Sequence, residues 1–475
     1  MIFSVPKDPH SRIGPVFWWG AYLLCTTLIA GSGGRVIAYA QTNPEADAQQ
    51  PAAPAVMITL QEAIKRAQSS EPTFASAVAD SKVARLDKSI ARAGLLPTGR
   101  FSGEGLYVQP NRLREVGGEG VTTSDPRFVS ADARPREYIA QGIVDETLGL
   151  GNLAGLRRAD AGAAVAAAEL EIARRGLVAT VTGLYYGVAA ADHKLTIAEQ
   201  AEKEAADFTK LTSQREQARE AAHADSVKAQ LERQGREREL SDAKLNANKA
   251  RLELGVLLFP DPRTPYTIDV SGAPGTLAPR EEVNQLAGKN NAELKSALAT
   301  LNMSNADVLA ARGAYLPSIG LNYTYGIDAN EFAANGPLTP DGVRARNLGY
   351  SAAVTVNLPV WDWLSTEHKM KQSEIKRDAA KVALTATQRR MIAQLDEVYA
   401  EAQASRDQLA SLDASVATAA ESLRLTKLRY AGGEATVLEV VDAQTAFITA
   451  ANAREDGQVR YQTALAQLQT LTGTM

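Results

Sequence analysis

Cysteine and histidine are scarce in this 475-residue sequence, which contains one cysteine and four histidines. A single cysteine has no disulfide partner within the chain and supplies too few thiolates for a structural zinc site. The histidines are spread over positions 10, 193, 223 and 368, and the last three lie in charged helical sequence that predicts solvated side chains. These residues are too few and too scattered to favour a metal site or a catalytic triad, and the sequence predicts neither a metal site nor a cofactor.

Aromatic residues make up only 6% of the chain, and 51 lysines and arginines stand against 55 aspartates and glutamates. This balance lacks the basic stripe that tracks a phosphate backbone, so nucleic acid is not an expected partner. The G-x-S-x-G and H-E-x-x-H motifs and a phosphate-binding glycine loop are also missing from the sequence. No catalytic residue is assigned, and an enzyme is not predicted.

The first forty residues follow the order of a secretory signal peptide. Lys7 and Arg12 precede an apolar run at 16–30, and small residues lead to A-Y-A at 38–40. We predict a signal peptide over residues 1–40, with Cys25 in the removed part, and a disordered lead-in over residues 41–56. Two alternatives are a membrane anchor, for which the run is short, and lipidation at Cys25, which would divide the run in its middle.

Beyond this segment no uncharged apolar stretch reaches the roughly 20 residues of a membrane-spanning helix. The nearest candidate is the stretch 176–191, which is rich in Gly, Ala and Thr. An exported chain of this kind that belongs to a membrane is therefore expected to cross it as β-strands.

An internal repeat organises the rest of the chain. A shift of 220 residues places several identical residues of 76–97 on 296–317, and a shift of 214 residues does the same for 215–230 and 429–444. We predict two structural repeats, at 57–275 and 276–475. Each runs from a helix that ends at a Leu-Pro pair, through two strands joined by a polar loop, to a long helical hairpin.

The hairpins are predicted from two proline-free spans, 136–259 and 360–475, that are rich in good helix formers. Each span has one break near its middle, at 214–224 and at 430–436, where one helix can end and the next begin. The roughly 60 residues before each break correspond to a rod about 90 Å long. Paired rods of this length are typical of coiled-coil-like arrangements.

Four segments show the alternation of β-strands. The pattern is strong at 318–327 and 349–358, moderate at 138–144 and weak at 100–108. Strands of about 9 to 11 alternating residues are typical of transmembrane barrels, although a half-buried soluble sheet alternates in the same way. The joining loops, at 110–135 and 328–347, carry the Gly, Pro and charge of water-exposed segments.

Four strands in one chain leave two sheet edges with unpaired peptide groups, which lipid does not tolerate. Known membrane barrels begin at about eight strands. A barrel therefore requires several copies of the chain, and three copies would supply twelve strands.

Several motifs resemble those of the TolC-type outer membrane efflux proteins, also called outer membrane factors. They are I-T-L-Q-E-A-I at 58–64, R-A-G-L-L-P at 92–97, L-P-V-W-D at 358–362, L-R-Y-A-G-G-E-A-T-V-L-E-V-V-D-A-Q at 428–444 and L-A-Q-L-Q-T-L-T-G at 465–473. The resemblance spans essentially residues 58–473.

The resemblance implies a mainly α fold with a small β part. Long antiparallel helical hairpins would form an α-barrel tunnel, and four transmembrane β-strands per chain would contribute to the twelve-stranded β-barrel of a homotrimer. The implied function is a passive exit duct of a tripartite efflux or type I secretion system in the outer membrane of a Gram-negative bacterium, with a large periplasmic part. The implied partners are further copies of the chain, outer membrane lipid, a periplasmic adaptor (membrane fusion protein) and an inner-membrane pump.

The residues alone leave one alternative from another class. The chain could be an exported periplasmic coiled-coil scaffold or adaptor without a membrane barrel, in which the alternating segments form a small soluble sheet.

The resemblance also implies a gate at the periplasmic tip of the hairpins. It assigns Glu439 and Asp442 to the pore constriction, where carboxylates from three chains would raise one another's pKa and attract cations. Since Thr436 and Glu439 also fit a capping box, a structural role for Glu439 stays open. A gate hydrogen bond is implied between Tyr430 and Asp225, and Asp225 is alternatively a helix N-cap.

The tip turns are predicted at Gly432 and Gly433 in the second repeat and at Ala218 and Arg219 in the first. This difference in residue type leaves the two turns free to differ in shape. Residues 434–435 are Glu and Ala, where the family often has a basic residue, so the strength of the implied lock is open.

Trp361 and Trp363 follow the fourth predicted strand. We predict that they are anchors at the membrane interface, where amphipathic rings are enriched. Simple packing at a strand-to-helix joint is the alternative.

Overall fold

The structure is a computed structural model that describes residues 56–107, 114–115, 122–123, 136–269, 275–338 and 340–474. The predicted signal peptide with Cys25, the predicted lead-in up to residue 55 and most of the predicted loop at 110–135 lie outside these residues.

Helices dominate the described chain, as predicted, and the β part is small. In the first half the elements are β1 (Val56–Ile58), α1 (Leu60–Ser70), α2 (Pro72–Ala93), β2 (Thr98–Tyr107), β3 (Arg114–Glu115), β4 (Thr122–Thr123), β5 (Arg136–Leu148), α3 (Leu150–Gln217), α4 (His223–Leu258) and β6 (Tyr266–Ile268). In the second half they are α5 (Arg280–Asn290), α6 (Ala292–Gly313), β7 (Ser318–Ala329), β8 (Asn335–Leu338), β9 (Arg344–Arg346), β10 (Leu348–Asn357), α7 (Ser365–Ala431) and α8 (Val437–Thr472). Helices of 11, 22, 68 and 36 residues in the first half recur as helices of 11, 22, 67 and 36 residues in the second.

Two very long helices, α3 and α7, set the dimensions of the molecule. Both predicted helix breaks are confirmed, because α3 gives way to α4 after Gln217 and α7 gives way to α8 after Ala431. With 68 and 67 residues, each long helix extends about 100 Å. Each begins just after a strand and ends at a hairpin turn, so the sheet and the turns lie at opposite ends. None of the described helices combines the length and hydropathy that crossing a membrane requires.

The four predicted strand segments correspond to β2, β5, β7 and β10, which form one antiparallel sheet in the order β10-β7-β5-β2. The weakly alternating β2 is held in register by its pairing with β5 from Thr98 to Tyr107. Cross-strand pairing therefore compensates for a poor pattern in the strand itself. Within the described chain, β10 and β2 are the outer strands and each has one neighbour in this sheet.

The pairing register separates an apolar face of the sheet from a polar one. Tyr323 lies opposite Ala352, and the adjacent Asn322 lies opposite Ala353 on the other face. The apolar face contains Ile319, Leu321, Tyr323 and Tyr325 of β7 together with Tyr350, Ala352, Val354 and Val356 of β10. The large apolar side chains of this face are exposed in the single chain, and Tyr350 and Val354 are 76% and 70% exposed.

A compact core joins the first-half helices beside the long rods. The Tyr185 side chain of α3 is almost fully buried, and its hydroxyl lies 3.0 Å from the main-chain oxygen of Ile58 in β1. Around it pack Leu177, Val181 and Val188 of α3 with Leu254 and Leu258 of α4. The parallel pairing of β1 with β6, which closes this core, was not predicted from the sequence because it joins two three-residue segments about 200 residues apart.

One buried arginine joins the two halves. Arg175 of α3 is 6% exposed and donates hydrogen bonds to the main-chain oxygens of Thr470 (3.0 Å) and Asn290 (3.2 Å), near the C-terminal ends of α8 and α5. Its Nε atom donates to Glu171 at 2.7 Å. Hydrogen bonds from Arg174 and Arg175 lower the pKa of Glu171 to about 2, so this carboxylate remains ionised and the arginine remains paired.

We predict that Arg175→Met destabilises the protein by about 3 kcal/mol, because two helix-terminal carbonyls and one carboxylate lose a buried partner. The free energy of unfolding in detergent, measured by chemical denaturation, tests this value. Arg174→Met is the matched control, since Arg174 also binds Glu171 but has a side chain that is 31% exposed. A control variant as unstable as the Arg175 variant would contradict the proposed role of the buried contacts.

Candidate functional site at the hairpin tips

The two hairpin turns have the same backbone conformation despite their different sequences. Ala218 and Gly432 end the helices in the right-handed region, with φ of −75° and −77°, and Arg219 and Gly433 follow in the left-handed region, with φ of 61° and 79°. In the first turn the amide of Glu220 donates at 2.8 Å to the main-chain oxygen of Arg215. In the second turn the amide of Glu434 donates at 2.8 Å to the main-chain oxygen of Arg429. This is the Schellman arrangement. The residue difference therefore does not give the turns different shapes.

A small apolar cluster lies directly behind the turns and joins both hairpins. We call it the tip cluster; its buried members are Phe208, Ala229, Tyr430, Val437 and Val440. The rings of Phe208 and Tyr430 contact each other with centroids 5.0 Å apart. Because Phe208 belongs to α3 and Tyr430 to α7, burial of apolar area holds the ends of the two long helices together.

Arg215 of α3 adds a polar connection between the hairpins. Its guanidinium donates to the main-chain oxygens of Tyr430 (2.8 Å) and Ala431 (2.9 Å) at the end of α7, and it lies over the Tyr430 ring at 5.0 Å. The last carbonyls of a helix have no partner within the helix, and they carry the negative end of its dipole. A cation from the neighbouring hairpin is therefore well matched to this position.

The implied hydrogen bond between Tyr430 and Asp225 is not formed within this chain. The Tyr430 hydroxyl lies 3.3 Å from Oγ1 of Thr212, a fully buried residue of α3. Nor is Asp225 the N-cap of α4, because Ala222 occupies that position and Asp225 lies in the first helical turn. As a half-buried carboxylate at a helix N-terminus, Asp225 is favourably placed in the dipole field.

The two carboxylates assigned to the constriction differ in their surroundings. Glu439 forms the complete capping box with Thr436, and its Oε2 lies 3.3 Å from the Arg429 guanidinium. The hydrogen bonds from Thr436 lower the pKa of Glu439, with a smaller contribution from Arg429. The Asp442 side chain is exposed and makes no hydrogen bond or ion pair with any described residue. Asp442 is thus the freer of the two charges.

Sequence reasoning missed Arg215, Thr212 and Phe208, which together hold Tyr430 in place. The repeat alignment pairs Arg215 with Arg429, and that equivalence was the available signal. In the structure the two arginines act differently, because Arg429 stays within its own hairpin whereas Arg215 reaches across to the other one.

Trp361 and Trp363 lie at the other end of the molecule, after β10. Their rings contact each other edge to face at 5.6 Å, and they are 69% and 82% exposed. Trp363 and Leu364 both have positive φ, and the carboxylate of Asp362 fixes the turn by accepting a 2.8 Å hydrogen bond from the Thr366 amide. The turn therefore presents both indoles outward and does not bury them at the strand-to-helix joint.

The histidines of the helices are exposed, but two of them have carboxylate partners that the sequence did not reveal. His193 lies 2.8 Å from Glu455, and His223 lies 2.7 Å from Glu216. Among the described residues no group of three or more His, Cys, Asp or Glu side chains is arranged to hold a metal ion.

Residues 283–474 match the family described as outer membrane efflux protein. The second half of the chain is therefore similar to this family. The family resemblance inferred from the sequence is thereby confirmed, as is localisation to the outer membrane of a Gram-negative bacterium. Over 196 residues, or 41% of this chain, the sequence is 28% identical to outer membrane protein OprJ of Pseudomonas aeruginosa, and the match spans 38% of that protein.

Solved channel structures share the fold over most of the chain. The Campylobacter jejuni outer membrane channel CmeC aligns with a TM-score of 0.71 at 16% identity, covering 87% of this chain and 85% of CmeC. The outer membrane protein VceC of Vibrio cholerae aligns with a TM-score of 0.69 at 18% identity, covering 87% and 96% of the two chains. The open state of the Neisseria gonorrhoeae channel MtrE aligns with a TM-score of 0.67 at 20% identity, covering 87% and 88%. These neighbours are channel proteins and not enzymes.

We predict that Arg219→Gly stabilises the first tip turn by about 0.5 kcal/mol, because glycine avoids the cost of a side chain in the left-handed region. Gly433→Ala, the matched change in the second turn, is expected to destabilise that turn by about 1 kcal/mol. Hydrogen exchange of the amides at 218–220 and 432–434 measures both effects locally. Slower exchange in the Gly433 variant, or faster exchange in the Arg219 variant, would contradict the assignment.

Proposed function

We propose that three copies of this chain form a passive exit duct in the outer membrane, gated at its periplasmic tip. The duct serves a tripartite efflux or type I secretion system and receives its cargo from an inner-membrane pump through a periplasmic adaptor. The wall of the duct is a twelve-stranded β-barrel continued by a tunnel of helical hairpins. The family match and the shared channel fold support this proposal.

The observation that carries the proposal is the four-stranded sheet with one exposed apolar face. An exposed apolar face that extends across neighbouring strands is unusual on a chain that stays in water. Strands of 10 to 13 residues with an apolar face outward and a polar face inward match the requirements of a barrel wall in lipid. Within the part of the chain that the structure describes, the outer strands β10 and β2 each have one neighbour in this sheet. Pairing β10 of one copy with β2 of the next would satisfy both edges.

The duplicated design accounts for the tunnel. We infer that the repeats at 57–275 and 276–475 each contribute two strands and one long hairpin, which is supported by the recurring helix lengths. Three chains then supply twelve strands and six hairpins around one axis. Helices about 100 Å long reach from the membrane deep into the periplasm, where an adaptor can contact their tips.

We propose that the tip contacts favour a closed resting state. Arg215, Thr212 and the tip cluster bind the end of α7 to α3, so opening requires these contacts to break. Glu439 and Asp442 lie at the start of α8, and we propose that Asp442 supplies most of the negative charge around the constriction. Asp225 occupies the equivalent part of α4 and adds to this charge.

Trp361 and Trp363 are proposed to anchor the periplasmic rim of the barrel in the membrane interface. Their outward exposure directly after β10 supports this position, since indole rings favour the boundary between hydrocarbon and water.

A pair of adjacent alanines tests the membrane barrel. Ala352 and Ala353 are both exposed near the middle of β10 but belong to opposite faces of the sheet. We predict that Ala352→Lys abolishes the detergent-dependent, heat-resistant trimer in the outer membrane fraction, because a lysine facing lipid costs about 2–4 kcal/mol per chain. Ala353→Lys, which faces the water-filled interior, is expected to leave the trimer in place.

The alternative scaffold gives the opposite result in the same experiment. A periplasmic coiled-coil protein would be released by osmotic shock, and both lysine variants would behave like the unchanged protein. If the two variants behave equally, the membrane-barrel interpretation is therefore ruled out.

The constriction is tested by recording single channels in planar bilayers. We predict that Asp442→Asn weakens cation preference and changes conductance, because three exposed charges leave the narrow opening. Glu439→Gln is expected to have a smaller effect on selectivity, since this carboxylate is engaged by Thr436 and Arg429. Unchanged selectivity in the Asp442 variant would place the constriction elsewhere.

A further inference from the structure

Exposed arginines lie at the edge of the four-stranded sheet that is remote from the long helices. Strands β2 and β7 end at this edge, and β5 and β10 begin there. Arg136 is the first residue of β5, and Arg346 is the last residue of β9, two positions before β10. Both side chains are exposed, and neither makes a hydrogen bond or an ion pair with any described residue. We call this edge of the sheet the loop edge.

The pairing of the strands places the two arginines on either side of β7. Tyr138 of β5 and Leu348 of β10 both pair with residues near the end of β7. Arg136 and Arg346 each lie two residues beyond these pairs, towards the loops. Because neighbouring strands are about 4.8 Å apart, β5 and β10 are separated by about 10 Å. Two long guanidinium side chains can therefore approach the same headgroup across this distance.

The register also fixes the face of the sheet on which Arg136 lies. Arg136 pairs with Tyr107 of β2, and Val144 of the same strand pairs with Tyr323 on the apolar face. Alternate residues of a strand share a face, so Arg136 and Tyr138 lie on the apolar face together with Val144. Under the proposed function this face contacts lipid, and the loop edge is its extracellular boundary.

Carboxylates of the strands near the loop edge lie on the opposite face. Glu104 of β2 pairs with Ile139, and Glu137 of β5 pairs with Leu106, which puts both acids on the polar face. Glu331, two residues after β7, is an exposed carboxylate of the adjoining loop and lowers the local positive charge. The strands thus separate an outward arginine from inward carboxylates, which favours an anion on the lipid side of the loop edge.

Aromatic rings accompany the arginines at the loop edge. Tyr107 and Phe332 are 68% and 70% exposed, and the rings of Phe332 and Tyr138 contact each other edge to face at 6.4 Å. Aromatic side chains at the end of an apolar face are typical of the depth at which lipid headgroups begin. A guanidinium binds phosphate oxygens in a planar, often bidentate arrangement. Arginine beside aromatic rings at this depth therefore suits a lipid phosphate.

We propose that the loop edge binds the phosphate group of a lipid in the outer leaflet, through the guanidinium groups of Arg136 and Arg346. The acyl chains of this lipid lie along the apolar face, past Tyr107 and Tyr138. The inference rests on the proposed function, because it requires the sheet to be part of a barrel wall. It adds one anionic lipid for each chain around the extracellular mouth of the duct.

The test compares a phosphorylated lipid with the same lipid after removal of its phosphates. Diphosphoryl lipid A and dephosphorylated lipid A are added to the detergent-solubilised full-chain trimer, and bound lipid is measured by native mass spectrometry. We expect the phosphorylated lipid to bind about 25-fold more tightly, or about fivefold for each arginine near an anionic headgroup. Equal affinities for the two lipids would overturn the proposal.

Inorganic phosphate distinguishes a lipid site from a site for the free anion. At the same concentration as the lipid it is expected to leave the bound lipid in place, because it lacks acyl chains to contact the apolar face. Displacement of the lipid by inorganic phosphate would overturn the assignment to a lipid.

Variants locate the phosphate at the loop edge. Arg136→Gln and Arg346→Gln are each expected to reduce the preference for phosphorylated lipid about fivefold, and Glu331→Gln is expected to increase it. Arg390→Gln is the matched control, since Arg390 is also exposed and unpaired among the described residues but belongs to α7. An unchanged preference in a variant that lacks both loop-edge arginines would contradict the proposal.

The outcome is separable from that of the proposed function. Lipid preference is measured only in variants that retain the heat-resistant trimer. A trimer without phosphate preference overturns the lipid site and leaves the duct, whereas absence of the trimer from the unchanged protein overturns the duct itself.

Discussion

The peptide groups of α3 and α7 are satisfied within each helix over nearly all of their 68 and 67 residues, and only the helix ends depend on outside partners. This requirement determines where the specific polar contacts occur. At the tip, Schellman turns and the Arg215 guanidinium satisfy the last carbonyls. Near the middle of α3, Arg175 donates to main-chain oxygens at the C-terminal ends of α5 and α8. The peptide groups of the strands need partners too, and among the described residues the outer edges of β10 and β2 have none in the four-stranded sheet.

Few aromatic residues are needed because the long helices pack along small side chains. The tyrosines that are buried stand where separate elements meet. Tyr185 holds β1 and β6 against α3, Tyr430 joins α7 to α3 at the tip, and the Tyr461 hydroxyl donates to the main-chain oxygen of Gly275 at 2.9 Å. Each combines a large apolar ring with one hydroxyl that can satisfy a partner, which suits junctions where apolar burial and a polar contact coincide.

The two ends of the molecule therefore have different physical tasks. The sheet end exposes apolar side chains and open strand edges, which suits a wall completed by other copies in lipid. The tip end buries a small cluster and joins the hairpins through Arg215, which suits a contact that can be made and broken. The tip is held by two hydrogen bonds from Arg215 and by five buried side chains, which is a smaller set of contacts to break than the core around Tyr185. An opening confined to the tip is consistent with that difference.

Sequence alone determined the elements of this protein: the helix breaks near 217 and 431, the four strands, the predominance of helix and the family resemblance. These features follow from local signals, namely proline-free spans, glycine turns and period-two alternation, which act within about ten residues. Only the tertiary structure decided which side chains meet across the hairpins. It gave Tyr430 the partner Thr212 in place of Asp225 within the chain, and it brought Arg215 to the end of α7. Residues more than 200 positions apart form these contacts, and nothing in the local pattern specifies the helical rotation and register that bring them together.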